Sequence, residues 1–248
     1  MSGMEVQLLD TAMVLGAGFG TRMGPLTADR PKPLVEVAGR ALIDRVIDRL
    51  IASGVRRVVV NVHYQADVLE AHLGRRSDVT IAVCDERDLL RDTGGGIAHA
   101  LPLLGDSAFF IHNSDAIWRE AETAAVDAMR SAWSDDEMDV LLLLADRETA
   151  LGYDGRGDFV RDEVGRLRRV RNGEVGEVFA GLSIAHPRVF DGSHAEVFSL
   201  NRIWDTAIAT GRAAGVRLDG QWMHVGTPEA VCEASALIRE ISRGDRSA

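Results

Sequence analysis

Thr11-Ala-Met-Val-Leu-Gly-Ala-Gly-Phe-Gly-Thr-Arg-Met-Gly-Pro-Leu-Thr27 passes from a compact apolar run straight into a glycine-rich loop. A five-residue apolar run that stops at Gly16 reads as a buried strand entering a turn. The pattern repeats downstream. Ala41 to Ser53 places Leu42, Ile43, Val46, Ile47, Leu50 and Ile51 on one helical face, with Gly54 as the stop. Arg57–Val62 and Val79–Cys84 read as strands, with Val68, Leu69 and Leu73 on a short helix between them. Gly96–Leu104 reads as a helix, Phe109–Ile111 as a strand ending in His112-Asn-Ser-Asp115, Glu122–Trp133 as a helix and Met138–Ala145 as a long apolar strand. Strands alternating with helices predict an α/β fold with a mixed, mostly parallel, Rossmann-like sheet covered by helices on both faces. After Arg147 the grammar changes. Short strands near Gly157–Arg161, Leu167–Arg171 and Val178–Ala185 precede helices over Leu200–Ala214 and Glu229–Ser242. No Pro- or Ser-rich linker separates the halves, so residues 1–248 are expected to form one domain. Its halves are about 11–147 and 148–230, with a C-terminal helix over 229–242.

Composition narrows the function classes. In 248 residues, 38 acidic against 28 basic side chains give a formal charge of −10, which argues against a nucleic-acid or anionic-membrane binder. Cys84 and Cys232 lack metal-site spacing. No apolar run approaches the ~20 residues that cross a bilayer, and no basic residue precedes Arg22. A cytoplasmic protein, monomeric or a small homo-oligomer, is expected. Lys32 is the only lysine, and it sits between Pro31 and Pro33.

The glycine loop fits neither common phosphate template. The dinucleotide pattern needs a glycine where Thr21 or Met23 stands, and the Walker pattern needs a glycine-lysine-hydroxyl triplet. What remains is a glycine loop after the first strand with Arg22 and Lys32 downstream. Glycines let backbone N–H groups close on a phosphate chain. Arg22 offers a bidentate fork and Lys32 a point charge for a departing anion. Asp115 ends an apolar strand on the same sheet edge, which favours a functional reading over a turn cap. Arg166, Arg168, Arg169 and Arg171 alternate as one exposed strand face would. Ser183 lacks the complete G-x-S-x-G elbow of a serine hydrolase, since Ala185 stands where the second glycine would be.

The series Gly18-x-Gly20-x-Arg22-Met23-x-Pro25-Leu26-Thr27 with Pro31-Lys32-Pro33 resembles the signature of the sugar-phosphate nucleotidyltransferases, which join a nucleoside triphosphate to a sugar 1-phosphate and release pyrophosphate. Further stretches extend the likeness: Asp92-Thr-Gly-Gly-Gly-Ile97, His112-Asn-Ser-Asp115, Gly155-Arg-Gly-Asp-Phe159, Phe179-Ala-Gly-Leu-Ser-Ile-Ala-His-Pro187 and Trp222-Met-His-Val-Gly-Thr227. Together they are most similar to the bacterial branch that transfers uridylyl from UTP to N-acetylmuramate α-1-phosphate in cell-wall recycling.

The resemblance implies that Gly16, Ala17, Gly18, Gly20, Thr21, Arg22 and Lys32 meet the triphosphate. It sets Asn61, Asn113 and the Thr93-Gly94-Gly95 loop beside the base and ribose, and Gly157, Asp158 and Gly181 beside the sugar. Asp115 would hold Mg2+, with Mn2+ as the alternative. Arg156 is the candidate cation for the lactyl carboxylate of the sugar. One departure matters: His224 stands where the family carries a second metal carboxylate, which predicts a metal that binds poorly until the triphosphate arrives. Absence of a Glu-Lys-Pro segment weakens the thymidylyl and guanylyl branches. Two alternatives stay open: another nucleotide-sugar pyrophosphorylase, and a non-catalytic subunit that binds sugar nucleotides.

Overall fold

The computed structural model describes residues 9–193 and 196–244. Strand β1 (Thr11–Leu15) leads through the glycine loop to the two-residue strands β2 (Glu36–Val37) and β3 (Arg40–Ala41). Then come α1 (Leu42–Ala52), β4 (Arg57–Val62), α2 (Ala66–Leu73), β5 (Thr80–Asp85), α3 (Asp92–Leu104), β6 (Phe109–Asn113), β7 (Ala116–Glu120), α4 (Ala125–Ala132) and β8 (Val140–Ala145). The second half adds β9 (Phe159–Arg161), β10 (Leu167–Arg169), β11 (Val178–Ala185), α5 (Asn201–Ala209), β12 (Ala213–Arg217), β13 (Gly220–His224) and α6 (Pro228–Gly244).

Seven strands form one sheet in the order β12-β8-β11-β6-β1-β4-β5. All neighbours are parallel except β11, which runs antiparallel to both β6 and β8. The alternation of side chains across β1 shows why the central strand is apolar throughout. Ala12 and Val14 pack with Val58, Val60 and Phe110 under α1, α2 and α4. Met13 packs with Val59 and Ile111 on the other face, under α3 and α5. A third cluster, including Met23, Val35, Ile117, Met223 and Ala234, joins the glycine loop to the β7–β13 ribbon and α6. No helix among the described residues is long and apolar enough to cross a membrane.

Several boundaries differ from the sequence reading. The Thr93-Gly94-Gly95 stretch is not a loop but the first turn of α3. The glycines are there for close packing: a Cβ on Gly94 would lie 2.4 Å from the Phe198 ring, and one on Gly95 would lie 2.3 Å from Glu196 O. The helix expected to reach Ala214 ends at Ala209, where Gly211 takes φ +70° and the chain turns into edge strand β12 beside β8. The helix expected from Glu122 starts at Ala125, because Glu122 N and Thr123 N donate to the Asp219 carboxylate.

Candidate active site

The chain crosses from β1 to β4 and β5 on one side and to β6 on the other, so a crevice opens at the carboxyl ends of β1, β4 and β6. That is where open α/β sheets take ligands. The glycine loop leaves β1 into this crevice. Gly16 N donates to Asn61 Oδ1 at 2.8 Å, and Asn61 Nδ2 donates to Glu86 Oε1 at 2.8 Å. Glu86 is fully buried and its second oxygen accepts Arg91 N at 3.0 Å. The root of the loop therefore hangs from a buried polar strut of Asn61 and Glu86, of which sequence reasoning singled out Asn61 but not Glu86. Gly20, at φ +65°, brings the loop against the Lys32 stem, where a Cβ would come within 2.8 Å of Lys32 Cβ.

Lys32 Nζ donates to Asp115 Oδ2 at 2.5 Å, and both side chains are mostly buried. Asp115 lies in the turn between β6 and β7, and β13 returns beside β7 with His224 opposite Ala116. Val225 N donates to Asp115 O at 3.0 Å, which fixes that turn against β13. Burial alone would raise the Asp115 pKa, but the Lys32 ammonium beside it holds it below the ordinary carboxylate value. Burial lowers the His224 pKa, Asp115 opposes that shift, and Lys32 and Arg22 reinforce it, so the imidazole is neutral at neutral pH. Arg22 is exposed at the crevice and forms no ion pair among the described residues.

Two cavities meet at this cluster. The first, about 650 Å³, is lined by Gly16, Ala17, Gly18, Gly20, Thr21, Arg22, Lys32, Asn61, Thr93, Asn113 and Asp115, all singled out by sequence. The second, about 370 Å³, shares Leu15, Asp92, Thr93 and Asn113 with the first. It adds Asp158, His224, Arg169 and an aromatic wall of Tyr153, Phe179, Trp204 and Trp222. Asp158 Oδ2 accepts Phe179 N at 2.9 Å, which pins that carboxylate at the wall.

Five expected site residues line neither cavity. Gly94 N and Gly95 N both donate to Phe198 O, at 2.9 and 3.0 Å, so neither amide is free for a base. Gly157 takes φ +89° under Gly176 O and donates its N–H to Tyr153 Oη at 3.0 Å. Gly181 takes φ +87°, where a Cβ would fall 2.2 Å from Ala116 Cβ. These two glycines support the wall rather than touch its contents. Arg156 is exposed and lines neither cavity, whereas Arg169, which sequence placed on a surface face, lines the second.

The donor set bears on a divalent cation. Asp115 and His224 bring one carboxylate and one imidazole together, and no group of three or more acidic, histidine or cysteine side chains suited to a metal occurs among the described residues. Magnesium is commonly held by one or two carboxylates while water and substrate phosphates complete its shell. The residues fit such a cation, provided that a phosphate-bearing ligand lies in the first cavity.

A glycine loop, a lysine–aspartate pair and paired cavities at one sheet edge define a phosphate-handling transferase site, and the Nucleotidyl transferase family model matches residues 11–166. The chain belongs to that family. It is 47% identical over 234 residues to the N-acetylmuramate alpha-1-phosphate uridylyltransferase of Caulobacter vibrioides, covering 92% of this chain and 97% of that protein. The protein of the same name from Neisseria meningitidis serogroup B is 35% identical, over 91% of this chain and 97% of that protein. Among solved structures, the inositol-1-phosphate CTP transferase from T. maritima superposes with a TM-score of 0.74 at 22% identity. That superposition covers 94% of this chain and 97% of that one, and it establishes the shared fold.

Proposed function

We propose that this protein transfers the uridylyl group of UTP to N-acetylmuramate α-1-phosphate, giving the UDP-sugar and pyrophosphate, as a step in peptidoglycan recycling in the cytoplasm. The observation that carries the reading is a pair of cavities that share Leu15, Asp92, Thr93 and Asn113, the first lined by the Lys32–Asp115 pair and the second by His224. The larger has the cations and backbone for a triphosphate; the smaller has an aromatic wall and a pinned carboxylate for a sugar. The likeness to the two uridylyltransferases supports the choice of base and acceptor. In this reading residues 11–147 supply most of the nucleotide site and residues 148–230 most of the sugar site.

The sugar phosphate oxygen attacks the α-phosphorus of UTP, the bond from that phosphorus to the bridging oxygen breaks, and pyrophosphate leaves with both electrons. The nucleophile is already anionic, so no side chain has to remove a proton. Catalysis rests on in-line placement and on charge neutralisation. Arg22 and Lys32 face the leaving group as cations; Lys32, mostly buried and held by Asp115, acts where its charge counts for more than in water, and Arg22 closes in from the exposed rim. Asp115 and His224 would hold Mg2+, or Mn2+ in its place, which when bound supplies charge stabilisation to the phosphates. Asn113 and Thr93, common to both cavities, sit where the two substrates adjoin.

Steady-state kinetics with UTP and a panel of sugar 1-phosphates, with products identified by mass, tests this reading. N-acetylmuramate α-1-phosphate should give the highest kcat/KM. Preference for a sugar lacking the lactyl group would move the chain to another branch, and nucleotide binding without pyrophosphate release would make it a non-catalytic subunit.

A further inference from the structure

The second cavity is electrically lopsided. Its acidic members are Asp92 and Asp158, and Arg169 is the single lysine or arginine that lines it. An acceptor bearing a carboxylate would meet two like charges there. Bringing an unpaired carboxylate into such a partly closed, aromatic-walled space is costly. Only the surroundings of Arg169 reverse that sign.

Arg169 is also held in a way that suits recognition. It ends β10, and its Nε donates to Asp205 Oδ1 at 2.7 Å while Nη2 donates to Asn201 Oδ1 at 2.8 Å. Its guanidinium carbon lies 4.5 Å from the Phe159 ring centroid and 5.8 Å from that of Trp204. Two anchored nitrogens and a stacked face fix the plane of the fork, so little freedom remains to be lost on binding. Nη1 donates to no protein atom among the described residues. Asp205 is largely exposed, so the ion pair is screened on its outer side and leaves the inner side of the guanidinium to a ligand. Arg22 and Lys32 line the first cavity and serve the leaving group there, whereas Arg169 lines the second, away from the transfer chemistry.

We propose that Arg169, positioned by Asp205 and Asn201, recognises the lactyl carboxylate that separates N-acetylmuramate from N-acetylglucosamine, and so sets the acceptor specificity of the enzyme. This inference rests on the acceptor proposed above. It replaces Arg156, which lies outside the cavity.

The test compares N-acetylmuramate α-1-phosphate with N-acetylglucosamine α-1-phosphate, both with UTP, in the wild type and in Arg169→Met and Arg169→Lys. Methionine keeps an apolar stem over Phe159 and Trp204 while removing the charge-assisted bond. Expected in Arg169→Met is a fall of about 30-fold in kcat/KM for the muramate substrate, carried by KM, with the glucosamine substrate changed less than about threefold. Arg169→Lys should restore part of the loss. Asp205→Asn, at an exposed position, should lower muramate selectivity less than Arg169→Met and serves if that variant fails to fold. Equal losses for both sugars would mark Arg169 as structural and overturn the proposal, as would an unchanged muramate rate. A wild type without preference for the acidic sugar would refute the acceptor assignment itself, and that is seen before any variant is made.

Discussion

The strut beneath the glycine loop yields a sharp prediction. Asn61 is 3% exposed, accepts Gly16 N through Oδ1 and donates Nδ2 to fully buried Glu86. Asn61→Ala leaves the Gly16 N–H without its acceptor, a cost of about 1–3 kcal/mol, and removes a hydrogen bond to a carboxylate worth about 1.5–3 kcal/mol. The sum, about 4 kcal/mol, corresponds to a drop of roughly 8–16 °C in Tm for a chain of this size. Thermal melts followed by circular dichroism at neutral pH check it. Asn61→Asp separates the two contributions. It keeps an acceptor for Gly16 N but sets a second carboxylate against Glu86, so that variant should gain stability on acidification as one of the pair takes a proton. In both variants the KM for UTP should rise, because the loop has lost its anchor. A Tm within about 3 °C of wild type for Asn61→Ala would refute the reasoning.

Two further outcomes are expected. His112 is buried against Trp118, with ring centroids 5.1 Å apart, and burial pushes its pKa down to about 3 even though its hydrogen bond to Asn113 O works the other way. The unfolded chain binds this proton near pH 6.5 and the folded one only near 3. Stability is therefore full above about pH 6.5 and declines as pH falls, by roughly 2 kcal/mol at pH 5; His112→Phe should flatten that limb in Tm-versus-pH curves. His224→Asp should tighten magnesium binding to the nucleotide-free protein about tenfold in calorimetric titrations, since it adds a hard charged donor beside Asp115, while wild type binds the ion tightly only with UTP. No change in His224→Asp would place that residue outside the metal shell.

How far these features were legible follows from whether their causes are local. Strand β1 and its loop could be read because apolar run and glycines are contiguous, and the eleven expected residues of the first cavity come mostly from that loop and from strand ends. The β7–β13 ribbon was missed because its halves are about a hundred residues apart and each has only five residues. Helix α3 was expected to start after Gly95 because glycine costs about 1 kcal/mol in a helix. Packing of Phe198 and Glu196 against those glycines overrides that preference. Arg169 was read as a surface charge because its alternation with Arg171 is the pattern of an exposed strand face. Only the fold of β10 toward α5 and Trp204 turns it into a cavity wall.

Pyrophosphate release from UTP and N-acetylmuramate α-1-phosphate, measured in wild type and in Lys32→Ala, tests the proposed transfer site most directly. In the proposed mechanism Lys32 faces the leaving group together with Arg22, and in the structure it is the partner of Asp115 at 2.5 Å. Its removal should lower kcat by about 10²–10³-fold, the loss typical of one such electrostatic contact, while circular dichroism shows the fold retained. Near-normal pyrophosphate release from a folded Lys32→Ala protein would contradict the assignment of this site.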